Sequence, residues 1–130
     1  MDLLSFAKSY ADRAESEATR TNVPICVCVM DTHGNVILKH RMNGAPAFSI
    51  DLSERKAYTS ALVGMRTIDL LPLVQPGQAL YPLMAQEKYC AMGGGAPLTS
   101  EGRVIAGLGV SGGSVEQDVA VLEGALKGIG

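Results

Sequence analysis

The sequence predicts one α/β (α+β) domain, with helices flanking a mainly antiparallel central sheet of about five strands. Apolar residues recur at helical spacing near both ends of the chain, and β-branched runs lie between them. The predicted strands are joined by short turns that contain Gly, which is typical of hairpins. Because 130 residues are the length of one domain, we expect a single domain over residues 1–130.

A helix over residues 2–20 is the first predicted element. Asp2 is the expected N-cap, and the apolar stripe behind it consists of Leu3, Phe6, Ala7, Tyr10, Ala14 and Ala18. Apolar runs at 23–30 and 36–42 predict two strands joined by the turn 31–35, which makes a hairpin. We expect Asp31 to cap this turn rather than to act as a base.

The middle of the chain is predicted to be helical. A helix is expected over 49–64, with Asp51 and Glu54 in its first turns, where the helix dipole favours negative charge. A short helix is expected over 67–74. Three chain breakers predict a loop over 75–87: Pro76, Gly77 and Pro82.

The remaining strands and the last helix follow. Residues 88–92, 97–100 and 103–110 are strand candidates, and the glycines inside the last of them indicate close approach of another backbone or of a ligand. Ser114 and Gln117, three residues apart, form a capping box that starts the last helix.

Composition excludes several classes of function. The net charge is -2 and no run of Lys and Arg exceeds two residues, so a nucleic-acid surface is not expected. No stretch reaches 18 apolar residues and no signal peptide is visible, so we expect no membrane span and a cytoplasmic location. The cysteines Cys26, Cys28 and Cys90 are expected to be buried, reduced thiols.

The chain is rather apolar for a small monomer. Its hydrophobic fraction is 47% and its charged fraction 18%. Self-association would hide apolar surface that a monomer would leave in water, so we expect a homo-oligomer.

The turn at residues 111–114, before the last helix, has the features of an anion site. Free backbone N–H groups and the dipole of the last helix favour a negative ligand there, and glycines allow it to approach the main chain. Two basic residues could complete a pocket for a carboxylate or phosphate. The candidate ligand-binding residues are Arg41, Lys56, Gly94, Gly95, Ser111, Gly112 and Gly113. The alternatives are a plain strand-to-helix turn and ordinary surface charges.

Histidines are few and no catalytic set is evident. His40 shares a strand face with Val36, Leu38 and Met42, and it is the candidate metal ligand, although a partly buried structural role is the alternative. His33 lies in the turn of the hairpin. No Ser/His/Asp or Cys/His set can be assembled, so no catalytic residue is assigned.

Several segments resemble the HbpS/GlcG-like haem-degrading and haem-binding family. Residues 29–34 and 41–45 resemble its D-x-x-G turn and R-M-D-G-A segment, and residues 53–61 resemble its K-A-x-T-A helix. Residues 94–98 and 107–113 resemble its G-G-x-P-I and G-x-G-V-S-G-G stretches. The resemblance covers nearly the whole chain and extends to a domain fused to some cobalamin adenosyltransferases.

The resemblance implies a profilin-like domain that forms homo-oligomers. The resemblance does not fix a cofactor: some members bind haem and others are linked to corrinoid metabolism, so haem and a corrinoid are the candidates. Haem-binding members are expected to use a histidine, often near the first helix, whereas residues 2–20 here contain none.

Three functions follow as hypotheses. The first is an accessory protein that binds haem, a corrinoid or a small organic acid in a glycolate or glycerol/diol pathway, so that its partner is a small anion or a tetrapyrrole. The alternatives are an isomerase or lyase that acts on a small carboxylate, and a structural homo-oligomer without a ligand.

Overall fold

The computed structural model describes residues 1–127, and its helices and strands alternate in groups along that range. The helices are α1 (Leu3–Thr21), α2 (Phe48–Val63), α3 (Thr67–Leu70) and α4 (Val115–Lys127). The strands are β1 (Cys26–Asp31), β2 (Val36–Arg41), β3 (Gly95–Ser100) and β4 (Arg103–Ser111). Two 3₁₀ helices, Leu71–Val74 and Tyr81–Ala85, follow α3.

The four strands form one antiparallel sheet in the order β2-β1-β4-β3. The prediction of about five strands is corrected to four within the described residues, because 88–92 is not a strand. The Cys90 N–H donates to Thr59 Oγ1 on α2 at 2.8 Å. This main-chain N–H is therefore paired with a helix side chain rather than with a neighbouring strand.

Helices cover both faces of the sheet. α1 and α4 pack on one face, where most of the buried apolar side chains lie, and α2 packs on the other. A Cβ at Gly107 or Gly109 of β4 would collide with the α2 backbone at the carbonyls of Ala57 and Ser53. The prediction that glycines in this strand mark close approach of a backbone is confirmed, since they let α2 lie directly on the sheet.

Local capping predictions are also confirmed. Asp2 accepts hydrogen bonds from the first turn of α1. The Ser114 N–H donates to Gln117 Oε1 at 2.8 Å and the Gln117 N–H donates to Ser114 Oγ at 3.1 Å, which is a reciprocal capping box. In the hairpin turn, Asp31 accepts hydrogen bonds from the main-chain N–H groups of His33 and Asn35.

Two further expectations concern the burial of the cysteines and the absence of a membrane-spanning helix. All three cysteines are free and buried, as predicted. Burial raises the pKa of the Cys28 thiol to about 12, so this thiol stays protonated at neutral pH. Among residues 1–127, no helix is both long enough and apolar enough to cross a membrane.

Candidate functional site

Lys56 is the most unusual of the predicted site residues. It lies on the sheet-facing side of α2 and has no solvent exposure. Its Nζ donates to Asp118 Oδ2 and to the carbonyl oxygen of Val110, each at 3.0 Å. A lysine buried this completely requires a partner for its charge, and Asp118 of α4 supplies one.

Asp118 occupies the position in which the sequence predicted an external anion. Its Oδ1 accepts the Gly113 N–H at 2.9 Å, while Oδ2 accepts from Lys56. Burial raises the pKa of the Asp118 carboxyl, against the lowering effect of Lys56 and of the turn's N–H groups. The chain therefore places one of its own carboxylates at the turn before α4.

The neighbouring glycines are needed for packing. A Cβ at Gly94 would lie 2.6 Å from the Val110 oxygen and 2.9 Å from Lys56 Nζ, and one at Gly95 would lie 2.7 Å from the Lys56 carbonyl oxygen. A Cβ at Gly112 would collide with the carbonyl of Pro24. Ser111 is buried as well, and its hydroxyl has no hydrogen-bond partner among the described residues.

Arg41 lies at the same end of the sheet as Ser111, but its side chain makes no contact with the Lys56–Asp118 pair. In the strand register, Cys26 pairs with Arg41 on one side and with Ser111 on the other. The Arg41 side chain is exposed, and its guanidinium donates to the carbonyl oxygen of Ala45 at 2.9 and 3.2 Å. The structure thus brings Lys56 together with the predicted glycines, and it turns Arg41 towards another loop. A shared anion pocket stays a prediction.

The two histidines lie apart from this cluster. His40 is exposed on β2, and its Nδ1 lies 2.9 Å from Glu15 Oε1 on α1. His33 is exposed in the hairpin turn. Within residues 1–127, no group of three or more His, Cys, Asp or Glu side chains is placed to hold a metal ion.

A cleft of about 350 Å³ lies elsewhere, between α2, the β1–β2 hairpin and the segment before β3. Its lining residues are Met30, Gly34, Val36, Asp51, Glu54, Arg55, Tyr58, Glu87 and Lys88. None of the site residues predicted from the sequence is among them. The α2 members are Asp51, Glu54, Arg55 and Tyr58. Each lies three or four positions from two of the others, a pattern that places them on one helix face and that the sequence alone could have indicated.

Tyr58 forms the aromatic wall of the cleft. Its ring packs so closely on the hairpin turn that a Cβ at Gly34 would lie 2.8 Å from it. Tyr89 meets the same ring edge-on, with 5.4 Å between the ring centres. Lys88 Nζ lies 5.4 Å from the centre of the Tyr58 ring, a cation–π contact at the mouth of the cleft.

Most charges around the cleft are paired. Arg55 pairs with Asp51 at 2.8 Å, and Lys39 pairs with Glu54 at 3.4 Å. Lys88 enters no ion pair within the described residues, so its ammonium can meet a ligand's carboxylate. Glu87, which also lines the cleft, is in no ion pair among the described residues either. The cleft therefore combines an apolar and aromatic surface with one unpaired cation, Lys88, and one unpaired carboxylate, Glu87.

A second cleft of about 380 Å³ follows the outer edge of β3 and includes Tyr10, Arg66 and Leu126. Its arginine, Arg66, is already paired with Glu123. The cleft beside α2 is for this reason the better candidate for an anionic ligand.

Comparisons with known families, sequences and structures point to the same family. A family model described as haem degrading protein HbpS-like matches residues 4–127. The chain is 42% identical over 125 residues to an uncharacterized 15.0 kDa protein in the dhaT-dhaS intergenic region of Citrobacter freundii, covering 95% of this chain and 88% of that protein.

Two further similarities involve PduO. The corrinoid adenosyltransferase PduO of Salmonella typhimurium is 38% identical over 98% of this chain, which spans only 38% of the length of PduO. The crystal structure of the PduOC:heme complex has a TM-score of 0.88 and 37% identity, covering 94% of this chain and 90% of that one.

Proposed function

The chain belongs to the HbpS-like family, and we propose that it binds a tetrapyrrole carboxylate, with haem as the first candidate, in the cleft beside α2. The observation that carries this proposal is the likeness to the PduOC:heme complex over 94% of the chain. The proposed role is that of an accessory protein that holds the ligand.

The chemistry of the cleft supports a ligand of this kind. A macrocycle can stack on the Tyr58 ring and contact the apolar side chains of Met30 and Val36, while Lys88 pairs with a propionate. Binding sites for cofactors typically combine such apolar walls with a few charged groups.

Side chains of the kinds that bind haem iron lie in or beside the cleft. A tyrosine phenolate, a methionine thioether and a histidine imidazole are all known haem ligands. Tyr58 and Met30 line the cleft, and His33 precedes the lining residue Gly34 in the hairpin turn. These three side chains are our candidate iron ligands, since α1 contains no histidine.

Titration with haemin, followed by absorption spectroscopy, tests the proposal. Lys88→Ala should weaken haemin binding by about tenfold or more, because a charge-assisted hydrogen bond contributes roughly 1.5–3 kcal/mol. The matched control is Lys8→Ala, which removes an exposed lysine of α1 and should leave the affinity unchanged. A cobalamin titrated in the same way, and glycolate tested by the rise in melting temperature that a bound ligand causes, identify a corrinoid or an organic acid as the ligand instead.

Spectra of variants locate the iron. Tyr58→Phe keeps the ring that packs on the hairpin and removes the hydroxyl, so a changed spectrum would identify Tyr58 as a ligand. His33→Ala tests the histidine at the rim, and we expect no bis-histidine spectrum. If only His40→Ala alters the spectrum, the haem lies outside the cleft and the proposed location is wrong.

A further inference from the structure

Glu87 and Lys88 give the cleft beside α2 two charges of opposite sign next to each other. They are consecutive residues, both are exposed, and both line the cleft. In the part of the chain that the structure describes, neither of them enters an ion pair. The other charges that line the cleft are neutralised by the two ion pairs described above. Counting Lys39, which belongs to one of these pairs, the cleft has three carboxylates and three cations and therefore no excess of positive charge.

The main chain on both sides of Lys88 is fixed to α2. Arg55 donates to the main-chain carbonyl oxygen of Glu87 at 2.9 Å, and the Cys90 N–H donates to Thr59 Oγ1 at 2.8 Å. Neither contact uses the Glu87 carboxylate. The Glu87 side chain can therefore be replaced without loosening the wall of the cleft, and its carboxylate is free to meet a ligand.

A tetrapyrrole presents its carboxylate or amide substituents at fixed spacings, because they are attached to one stiff macrocycle. Lys88 Nζ lies 5.4 Å from the centre of the Tyr58 ring, so a macrocycle stacked on this ring brings one substituent to the ammonium. Consecutive Cα atoms are about 3.8 Å apart, so the next substituent comes within reach of Glu87. A carboxylate there would face a like charge, whereas an amide would donate a charge-assisted hydrogen bond to Glu87.

We propose that Glu87 determines the ligand specificity of the cleft, by favouring a tetrapyrrole that carries one carboxylate beside a neutral hydrogen-bond donor such as a carboxamide. The inference rests on the proposed function, since it requires a tetrapyrrole in the cleft. Lys88 attracts the single carboxylate, and Glu87 repels a second one. The two residues together therefore discriminate between ligands that share the same macrocycle.

Three ligands with one macrocycle test the proposal: haemin, its monoamide and its diamide, in which one or both propionates are converted to carboxamides. Titrations followed by absorption spectroscopy give the affinity of each. The wild-type protein should bind the monoamide at least about fivefold more tightly than haemin, because a like-charge contact is exchanged for a charge-assisted hydrogen bond. It should prefer the monoamide to the diamide by at least about fivefold as well, because the diamide has no carboxylate for Lys88.

Substitutions of Glu87 should change this preference and leave the main-chain contact with Arg55 in place. Glu87→Gln should bind haemin and the monoamide within about twofold of each other, because a glutamine amide both donates and accepts hydrogen bonds. Glu87→Lys should prefer haemin, because two cations then meet two propionates. Glu116→Gln is the matched control: it removes an exposed carboxylate from α4, on the opposite face of the sheet from α2, and should keep the wild-type preference.

The outcomes distinguish the role of Glu87 from that of the cleft as a whole. If the wild-type protein binds haemin and the monoamide equally well, or if Glu87→Gln keeps the wild-type preference, Glu87 does not determine specificity, although the cleft still binds a tetrapyrrole. If the diamide binds as tightly as the monoamide, Lys88 pairs with no carboxylate and both proposals are wrong. If none of the three ligands binds, the proposed function is refuted and the specificity with it.

Discussion

Replacing Lys56 distinguishes a structural lysine from a ligand-binding one. Lys56→Met keeps most of the side-chain volume and leaves the Asp118 carboxylate buried without a cation. Breaking a buried pair in this way costs about 3–5 kcal/mol. For a chain of this length, that loss corresponds to a decrease in melting temperature of about 10–20 °C.

Thermal and urea denaturation of three variants measure this effect. The double variant Lys56→Met with Asp118→Leu should recover much of the loss, because the unpaired carboxylate is gone. Lys39→Met is the matched control. It breaks the partly exposed pair with Glu54 and should cost less than about 1 kcal/mol.

The pH dependence of the Lys56→Met variant gives a further test. Burial raises the pKa of the Asp118 carboxyl, and removal of the lysine raises it more. A carboxyl whose pKa is higher in the folded state destabilises the fold when it is ionised, so the loss should shrink as the pH falls through that pKa. If Lys56→Met melts like wild type and weakens a ligand about tenfold, Lys56 binds that ligand and the structural explanation is refuted.

Two more substitutions test the close packing of α2 and the hairpin turn. Gly109→Ala should destabilise the protein by about 1–3 kcal/mol, because the added Cβ collides with the Ser53 carbonyl. The control is Gly102→Ala, whose Cβ meets no neighbour and which costs only the strain of its positive φ. Equal losses of stability in the two variants would contradict this explanation. Asp31→Asn should lower stability at pH 7 by about 1 kcal/mol, and the difference should vanish at low pH. Burial alone would raise the pKa of the Asp31 carboxyl, but the hydrogen bonds from Asn35 and His33 outweigh this effect, so its folded pKa lies below the ordinary value. The stability that this carboxylate contributes is therefore lost as pH falls through the folded pKa. A stability difference between variant and wild type that persists at pH 2 would refute this explanation.

Local features of this fold could be predicted because their signals are local. The N-cap at Asp2 and the capping box at Ser114 and Gln117 depend on residues that are close in sequence. The hairpin depends on one turn, whose Asp31 cap was also predicted. The resemblance of several segments to the HbpS/GlcG-like family is confirmed by the family match over 4–127.

The role of α2 could not be predicted in this way. Besides Ala57 and Ala61, this helix buries five polar side chains: Ser49, Ser53, Lys56, Thr59 and Ser60. Small side chains fit there because Gly107 and Gly109 bring the helix backbone onto β4. That contact depends on which strand lies under the helix. The ion pair of Lys56 and Asp118 joins residues that are 62 positions apart in the sequence. Helical periodicity contains neither piece of information.

The segment between the second 3₁₀ helix and β3 is held against α2 where it lines the cleft. The second 3₁₀ helix ends at Ala85, and Glu87 and Lys88 line the cleft. Arg55 of α2 donates to the Glu87 carbonyl oxygen at 2.9 Å, and Tyr89 packs on Tyr58 of the same helix. Two contacts from α2 thus hold the segment that carries Lys88, and they place its ammonium beside the Tyr58 ring, where a ligand's carboxylate would meet it.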